Sequence, residues 1–319
     1  SGDDAKEKVA DNARYLLLPA VPSDAVLLSC FSEADKVLEN IHASSDFPAA
    51  LKESGVRLGR MTVSLHFSGK LTALYVLDMG KASPQPSETA EAVLAAARSC
   101  GMSAEYMDCS TTGSRYSISD RSIVVASLSE SLVKSSLRHI QKSVSILEAS
   151  GFAEASAYVS SGNMIFVSNE LSAKVLSSIF GNKYNSWIRF APKVSDWTVF
   201  DLTEIGEDIS LYGSLVTDGD QSDFISVFSR TGTASSKLSS VLPSNTLAAA
   251  TLPVVNVAEY ISAYHLFLDA GQSLQTRQTA IEALEKKIGI SPVAYFARLE
   301  PKEVATASFI EGGKLERVN

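Results

Sequence analysis

Short strands that reverse direction through tight turns are the feature that most constrains the fold of this chain. Residues 60–67 alternate apolar side chains with other residues, residues 68–70 (Ser-Gly-Lys) supply a turn, and residues 71–77 return as a second strand. A second hairpin turn is expected at residues 161–163. Such hairpins outnumber the places where a helix could join two parallel strands. The sequence therefore predicts an α+β fold with mainly antiparallel sheets covered by helices.

Helices are expected between these strands. Ser32 is placed to cap a helix at residues 33–41, and further helices are predicted at residues 87–100 and 257–287, the last one broken near Gly271. Strands are predicted in four segments of the last third of the chain: residues 224–228, 295–299, 305–310 and 314–318.

One motif occurs twice. Val21-Pro22-Ser23-Asp24 has a counterpart late in the chain, Leu242-Pro243-Ser244-Asn245, and after each we expect an apolar strand, a helix and a hairpin. A duplicated unit with a shortened or modified second copy explains this pattern, and so does a turn that commonly begins strands. Duplication would give equivalent core positions to two sets of residues: Val26, Leu28, Leu38 and Ile41 in the first copy, and Leu247, Leu252, Ile261 and Leu266 in the second.

The predicted domain organisation has three parts. Residues 1–14 form a charged tether, and its opening Ser1-Gly2 resembles a cloning remnant. Residues 15–242 form a first α+β unit, and residues 243–319 start a second unit that is incomplete or modified. This organisation predicts further residues of the same chain beyond Asn319.

Three phrases resemble an uncharacterised family of Bacteroidetes envelope proteins, a domain of unknown function. They are Leu242-Pro243-Ser244-Asn245-Thr246, Leu211-Tyr212-Gly213-Ser214 and residues 197–202. The resemblance extends over about residues 20–319. It implies an N-terminal membrane anchor or lipoprotein signal, removed ahead of the charged start, and it supplies no catalytic residues.

Composition excludes some classes of protein and favours one compartment. The chain has 28 basic and 36 acidic residues, so it lacks the basic footprint of a nucleic-acid-binding protein. Its 49 serines are spread along the whole length, which favours a secreted or envelope protein. We therefore expect an extracytoplasmic protein, in the periplasm or at the cell surface, that contacts the membrane only through its removed anchor.

The sharpest enzymatic pattern is Ser131 followed by Lys134 at the start of a predicted helix, where a neutral amine could activate the hydroxyl. Penicillin-interacting enzymes carry two further motifs later in the chain, Ser-x-Asn and Lys-Thr-Gly. The segments Ser161-Gly162-Asn163 and Arg230-Thr231-Gly232 follow in the same order. The interval between Ser131 and Ser161 is too short for the helical lobe of such enzymes. Arginine also stands in place of their usual lysine.

No metal or cofactor is expected. Asp218, Asp220 and Asp223 cluster on a turn without the spacing of a calcium-binding loop, and the glycines at 55 and 59 lack a phosphate fingerprint. The three cysteines contain no pair at zinc-ligand spacing. A local bridge between Cys100 and Cys109 is sterically possible, and buried unpaired thiols are the alternative.

Aromatic residues suggest a ligand site of another kind. Trp187 and Trp197 lie in an aromatic-rich stretch that could stack on sugar rings, or that could instead pack in the core.

His66 lies on the opposite strand face from Leu65 and Phe67, so we expect it to be exposed.

The leading hypothesis is a non-enzymatic, membrane-tethered module that binds or scaffolds an envelope protein or a glycan. The alternatives are a serine hydrolase of the penicillin-interacting type, which would use Ser131 and Lys134 with Asn163, and a glycan-binding module that uses Trp187 or Trp197.

Overall fold

The protein is described by a computed structural model that covers residues 17–40, 46–110, 118, 120–142, 144–158, 163–181, 185–205, 209–217, 222–229, 231, 235–311 and 314–318. Contacts between residues divide the chain into two compact units, Ser1–Asp218 and Gly219–Asn319.

Within its described residues, the first unit is built on one sheet of eight strands. They are β1 (Ala25–Phe31), β2 (Met61–Phe67), β3 (Leu71–Lys81), β4 (Ser103–Asp108), β5 (Arg121–Ser127), β6 (Met164–Ser168), β7 (Trp197–Ile205) and β8 (Ile209–Val216). Their order across the sheet is β4-β5-β3-β2-β1-β6-β7-β8, and neighbouring strands run antiparallel. The predicted α+β fold with mainly antiparallel sheet is confirmed.

Helices cover both faces of this sheet. They are α1 (Ala34–Asn40), α2 (Phe47–Glu53), α3 (Glu88–Ser99), α4 (Glu130–Lys142), α5 (Phe152–Ser156), α6 (Asn169–Phe180) and α7 (Asn185–Phe190). The first three pack on one face, where they contact Met61, Leu77 and Val124. α4 packs on the other face over Val76 and Val125. The sheet is therefore the middle of three layers.

Coverage on both faces explains the composition of β5. Every residue of this strand after Arg121 is buried, and its sequence is Ser-Ile-Val-Val-Ala-Ser. A strand with only one covered face alternates apolar and polar residues, whereas a strand between two helical layers is apolar throughout.

The second unit contains a smaller sheet and four described helices. β9 (Thr246–Pro253), β10 (Glu303–Glu311) and β11 (Lys314–Val318) form an antiparallel sheet in the order β11-β10-β9. The helices are α8 (Ser226–Ser229), α9 (Val257–Ala270), α10 (Leu274–Ile288) and α11 (Pro292–Leu299). The sequence-based boundary at Leu242 and Pro243 lies inside this unit, because Phe224 and Val227 pack against α9.

Two segments predicted as strands are helical. Residues 224–228 overlap α8, and residues 295–299 belong to α11. In α11, the Ser291 hydroxyl accepts a hydrogen bond from the Ala294 N–H, and Pro292 lies in the first turn. These are strong helix-start signals. They outweigh the strand preference of the aromatic residues that follow.

The two segments that begin at the repeated Pro-Ser motif share one topology. In the first, β1 is followed by helices and by the hairpin β2–β3, and the strands lie in the order β3-β2-β1. In the second, β9 is followed by helices and by the hairpin β10–β11, in the order β11-β10-β9. The element order that the duplication hypothesis predicts is therefore present in both segments.

Finer details of the backbone also repeat. The Ala25 N–H donates to the Pro22 carbonyl at 3.3 Å, and the Thr246 N–H donates to the Pro243 carbonyl at 3.1 Å. The ladder between β1 and β2 skips one residue, Val26, and the ladder between β9 and β10 skips Leu247. These two bulges occupy the same position relative to the proline of each motif. A shared entry turn alone does not require a bulge at the same position.

The predicted equivalence of core side chains is wrong at one pair. Val26 is 8% exposed, whereas Leu247 is 61% exposed. β1 lies between two strands and two helical layers, but most of β9 is open to solvent. Ile41 lies outside the described residues.

We expect Leu28→Ala, in the middle of β1, to lower the free energy of unfolding of the first unit by about 2–5 kcal/mol, because Leu28 is fully buried. Leu211→Ala, in the edge strand β8, is the matched control, since Leu211 is 49% exposed. It should change stability by no more than about 0.5 kcal/mol. Urea unfolding followed by tryptophan fluorescence measures both, since both tryptophans belong to this unit. Equal losses in the two variants would contradict the three-layer core.

Candidate functional site

Ser131 and Lys134 lie on the exposed side of the first turns of α4. The Lys134 ammonium donates to the Glu130 carboxylate at 2.5 Å, and the Ser131 hydroxyl lies 2.9 Å from the Ser129 hydroxyl. The hydrogen bond and charge of Glu130 raise the pKa of Lys134 above its ordinary value. A lysine held in its charged form cannot take a proton from a serine hydroxyl.

Asn163 is far from Ser131. It immediately precedes β6, where its side-chain oxygen accepts hydrogen bonds from the backbone N–H and hydroxyl of Ser32 at 3.0 and 3.3 Å. β5 and β6 are four strands apart and parallel to each other. Ser131 follows the end of β5, so the two residues lie at opposite ends of the sheet and roughly 19 Å apart across it. The structure does not bring these three candidate residues together.

Other parts of the proposed enzymatic motifs fall outside the described residues. They are Ser161, Gly162, Arg230 and Gly232. Thr231 is described and is buried, and its hydroxyl donates to the Phe228 carbonyl at 3.4 Å.

Trp197 belongs to the core, which corrects its candidate role in glycan binding. Its side chain is 3% exposed and packs edge-on against Phe152, with ring centroids 4.9 Å apart. The indole N–H donates to the Ser150 carbonyl at 2.8 Å. A sugar ring has no access to the face of a ring packed in this way. The side chain of Trp187 lies outside the described residues.

The acidic turn is described only in part, since Asp218 and Asp220 lie outside the described residues. Asp223 is 5% exposed, and its backbone carbonyl accepts a hydrogen bond from the Ser226 hydroxyl at 2.6 Å. In the part of the chain that the structure describes, no group of three or more potential ligand side chains could hold a metal ion.

All three cysteines are free thiols. Cys30 and Cys109 are buried and Cys100 is partly exposed, so the predicted alternative of a Cys100–Cys109 bridge is not formed. Burial raises the pKa of the Cys30 thiol to about 12, and the same cause raises that of Cys109 to about 12. Thiols with such pKa values are poor nucleophiles at neutral pH.

The structure assembles a Ser-His-Asp array that no sequence motif indicated. His66 Nε2 lies 2.9 Å from the Ser64 hydroxyl, and His66 Nδ1 lies 2.8 Å from the Asp24 carboxylate. The prediction that His66 is exposed is wrong, since its side chain is 6% exposed. It lies on the predicted strand face, but that face is covered by a layer of helices.

This array has the connectivity of a hydrolase triad, but its serine has no access to a substrate. Ser64 is fully buried, whereas the Asp24 side chain is 69% exposed. The hydrogen bond from His66 is the largest factor that lowers the pKa of Asp24 below its ordinary value. The array therefore satisfies buried polar groups and ties the turn before β1 to β2.

In the second unit, a groove between α9, α10 and α11 forms a pocket with a volume of about 480 Å³. Apolar side chains form most of its walls: Tyr260, Ile261, Tyr264, Leu268, Ala280, Ile281, Leu284, Pro292, Val293 and Phe296. Its size is within the range of small-molecule binding sites.

Among the described helices, none is both long enough and apolar enough to cross a membrane.

Two polar side chains, His265 and Arg277, also line the groove. Neither forms a side-chain hydrogen bond or an ion pair with any described residue. Arg277 is exposed, and its guanidinium has five N–H donors and no acceptor. The groove therefore combines an apolar surface with one cation that has no acidic partner in the described structure.

Several large apolar side chains are exposed near the ends of these helices. Leu284 is 45% exposed, Ile288 48% and Leu299 59%. Clusters of exposed apolar residues at a concave surface are typical of interaction sites. The sequence predicts helices at residues 257–287 but a strand at residues 295–299, and it does not indicate this site, because the walls come from three separate helices.

Compared with known proteins, the chain matches no family model, no curated protein and no solved structure. The resemblance to Bacteroidetes envelope proteins therefore stays a prediction.

Replacing Asp24 with Asn should lower the stability of the first unit at neutral pH and leave it nearly unchanged at strongly acidic pH. The folded-state pKa of Asp24 lies below the ordinary 3.8. Its contribution is therefore complete above that value and is lost as the pH falls through the lower folded-state pKa.

Urea unfolding between about pH 2 and about pH 7 tests this, with tryptophan fluorescence as the signal. Glu154→Gln, which removes an exposed carboxylate on α5, serves as the control. A difference between wild type and Asp24→Asn that is constant over the whole pH range would show that the carboxylate charge plays no part.

Proposed function

We propose that this protein is a binding module, and that the groove between α9, α10 and α11 is its ligand site. The observation that carries the proposal is the pairing of an apolar groove with the unpaired guanidinium of Arg277. Binding sites for small molecules commonly have this composition, with apolar walls and a few polar groups that orient the ligand.

The chemistry of the groove favours an amphipathic ligand with an anionic head group, such as a long-chain carboxylic acid. The aromatic and aliphatic walls would remove the ligand's apolar body from water, at roughly 25 cal/mol per Å² of buried surface. Arg277 would form a charge-assisted, two-point hydrogen bond with the carboxylate. His265 would supply a second polar contact inside the same groove.

The head-group contact also gives a basis for selectivity. A neutral alcohol of the same chain length would bury the same apolar surface but would not pair with the guanidinium. We therefore expect the groove to prefer the acid over the alcohol.

The prediction of an extracytoplasmic, envelope-associated protein stays a prediction, and cell fractionation would test it.

A fluorescent polyunsaturated fatty acid should bind the full chain and gain fluorescence as it enters the groove. Arg277→Gln should weaken its binding roughly tenfold or more, because one hydrogen bond to a charged group is worth about 1.5–3 kcal/mol. The matched control is Arg298→Gln, since Arg298 is an exposed arginine on α11 that does not line the groove.

The comparison with the corresponding fatty alcohol separates the head-group contact from burial. In wild type the acid should bind more tightly than the alcohol, and in Arg277→Gln the two should bind alike. Ile281→Asp should weaken binding of both, because it places a carboxylate in the apolar wall. Failure of the wild-type protein to bind the acid would refute the proposal, as would equal effects of the two arginine variants.

A further inference from the structure

The outer edge of β9 has no partner strand in the described part of the second unit. β9 is the last strand of its sheet and pairs with β10 alone. Its sequence, Thr-Leu-Ala-Ala-Ala-Thr-Leu-Pro, contains no charged residue, and residues 247–251 are exposed. Charged side chains are one means by which natural edge strands avoid pairing with another chain, and β9 carries none.

The backbone groups that β9 leaves open can be identified. The Val254 N–H donates to the Lys302 carbonyl at 2.8 Å, which fixes the alternation of the ladder. Residues 248, 250 and 252 then point their backbone groups at β10, and Ala249 and Thr251 point theirs outward. Pro253 also faces outward, where its missing N–H costs no bond to β10.

The same positions are filled in the first unit. Leu28 and Cys30 are the equivalents of Ala249 and Thr251, counted from the proline of each Pro-Ser motif. They lie opposite Phe166 and Met164 of β6. The Leu202 N–H donates to the Asn163 carbonyl at 2.9 Å, so Met164 and Phe166 direct their backbone groups at β1. In the first unit, the neighbour at the equivalent edge of β1 is therefore an antiparallel strand.

We propose that the outer edge of β9 pairs with β9 of a second copy of this chain, which gives a two-fold symmetric dimer. This inference is independent of the ligand groove. An edge that pairs with its own copy must be uncharged and able to donate and accept at matched positions, and β9 meets both conditions. The two three-stranded sheets would join into one continuous sheet.

A two-fold axis at Ala250, midway between the two outward-facing residues, gives this pairing its register. Ala249 and Thr251 of one copy bond to Thr251 and Ala249 of the other, and the two Ala250 residues face each other across the axis without hydrogen bonds. Leu247, now 61% exposed, would lie opposite Pro253. Pairing would thus bury apolar surface and satisfy the open backbone groups in one step.

Cysteine cross-linking tests the register directly. In a Cys100→Ser background, which removes the partly exposed native thiol, Ala250→Cys should form an intermolecular disulfide readily. Its two thiols would meet at a pair of residues with Cα atoms about 4.5 Å apart. Ala248→Cys is the matched control, because the two copies of position 248 would lie roughly 14 Å apart and out of reach.

Light scattering on the full chain supplies the second readout. The wild type should show a mass that rises from monomer to dimer with concentration, and Ala250→Lys should stay monomeric, because it places two like charges opposite each other. Circular dichroism checks that this variant is folded. A wild type that stays monomeric at high concentration would overturn the proposal. A dimer that cross-links equally well at positions 248 and 250, or at neither, would overturn it too.

Discussion

Every strand carries backbone donors and acceptors along both edges, and the need to satisfy them organises this protein. In the first unit, the six inner strands of the sheet have a neighbour on each side, and helices cover both faces. This arrangement buries most of β1 and every residue of β5 after Arg121. The second unit repeats the order of a strand, helices and a hairpin that begins the first unit. The strand that would match β6 is not among its described elements. The open edge of β9 follows from that difference.

The sequence predicts much of the local structure for clear physical reasons. The β2–β3 hairpin follows from the period-two alternation of residues 60–67 and the glycine turn after it. The repeated Pro-Ser motif correctly indicates two segments with the same order of elements. The prediction for residues 295–299 fails because Tyr295 and Phe296 suggest a strand, although Ser291 and Pro292 just before them begin a helix.

The sites are less predictable than the elements, because they depend on tertiary contacts. His66 alternates with apolar residues as expected, but only the packing of helices on its face makes it buried. Its partner Asp24 is distant in the chain, in the turn before β1, and no local pattern relates them. The groove is assembled from three helices in the same way. The pair of Ser131 and Lys134 at the start of α4 is conspicuous in the sequence. In the structure, however, the Lys134 ammonium donates a hydrogen bond to the Glu130 carboxylate.

Residue-resolved amide hydrogen exchange of the full chain at low and high concentration distinguishes the paired edge of β1 from the open edge of β9. We expect slow exchange at every concentration for Leu28 and Cys30, which lie between β2 and β6, and for Ala250, whose backbone groups face β10. The amides of Ala249 and Thr251 should exchange rapidly in dilute solution and slowly when the chain is concentrated. Slow exchange of Ala249 and Thr251 in dilute solution would contradict an open outer edge of β9. Rapid exchange of Leu28 and Cys30 would contradict the pairing of β1 with β6.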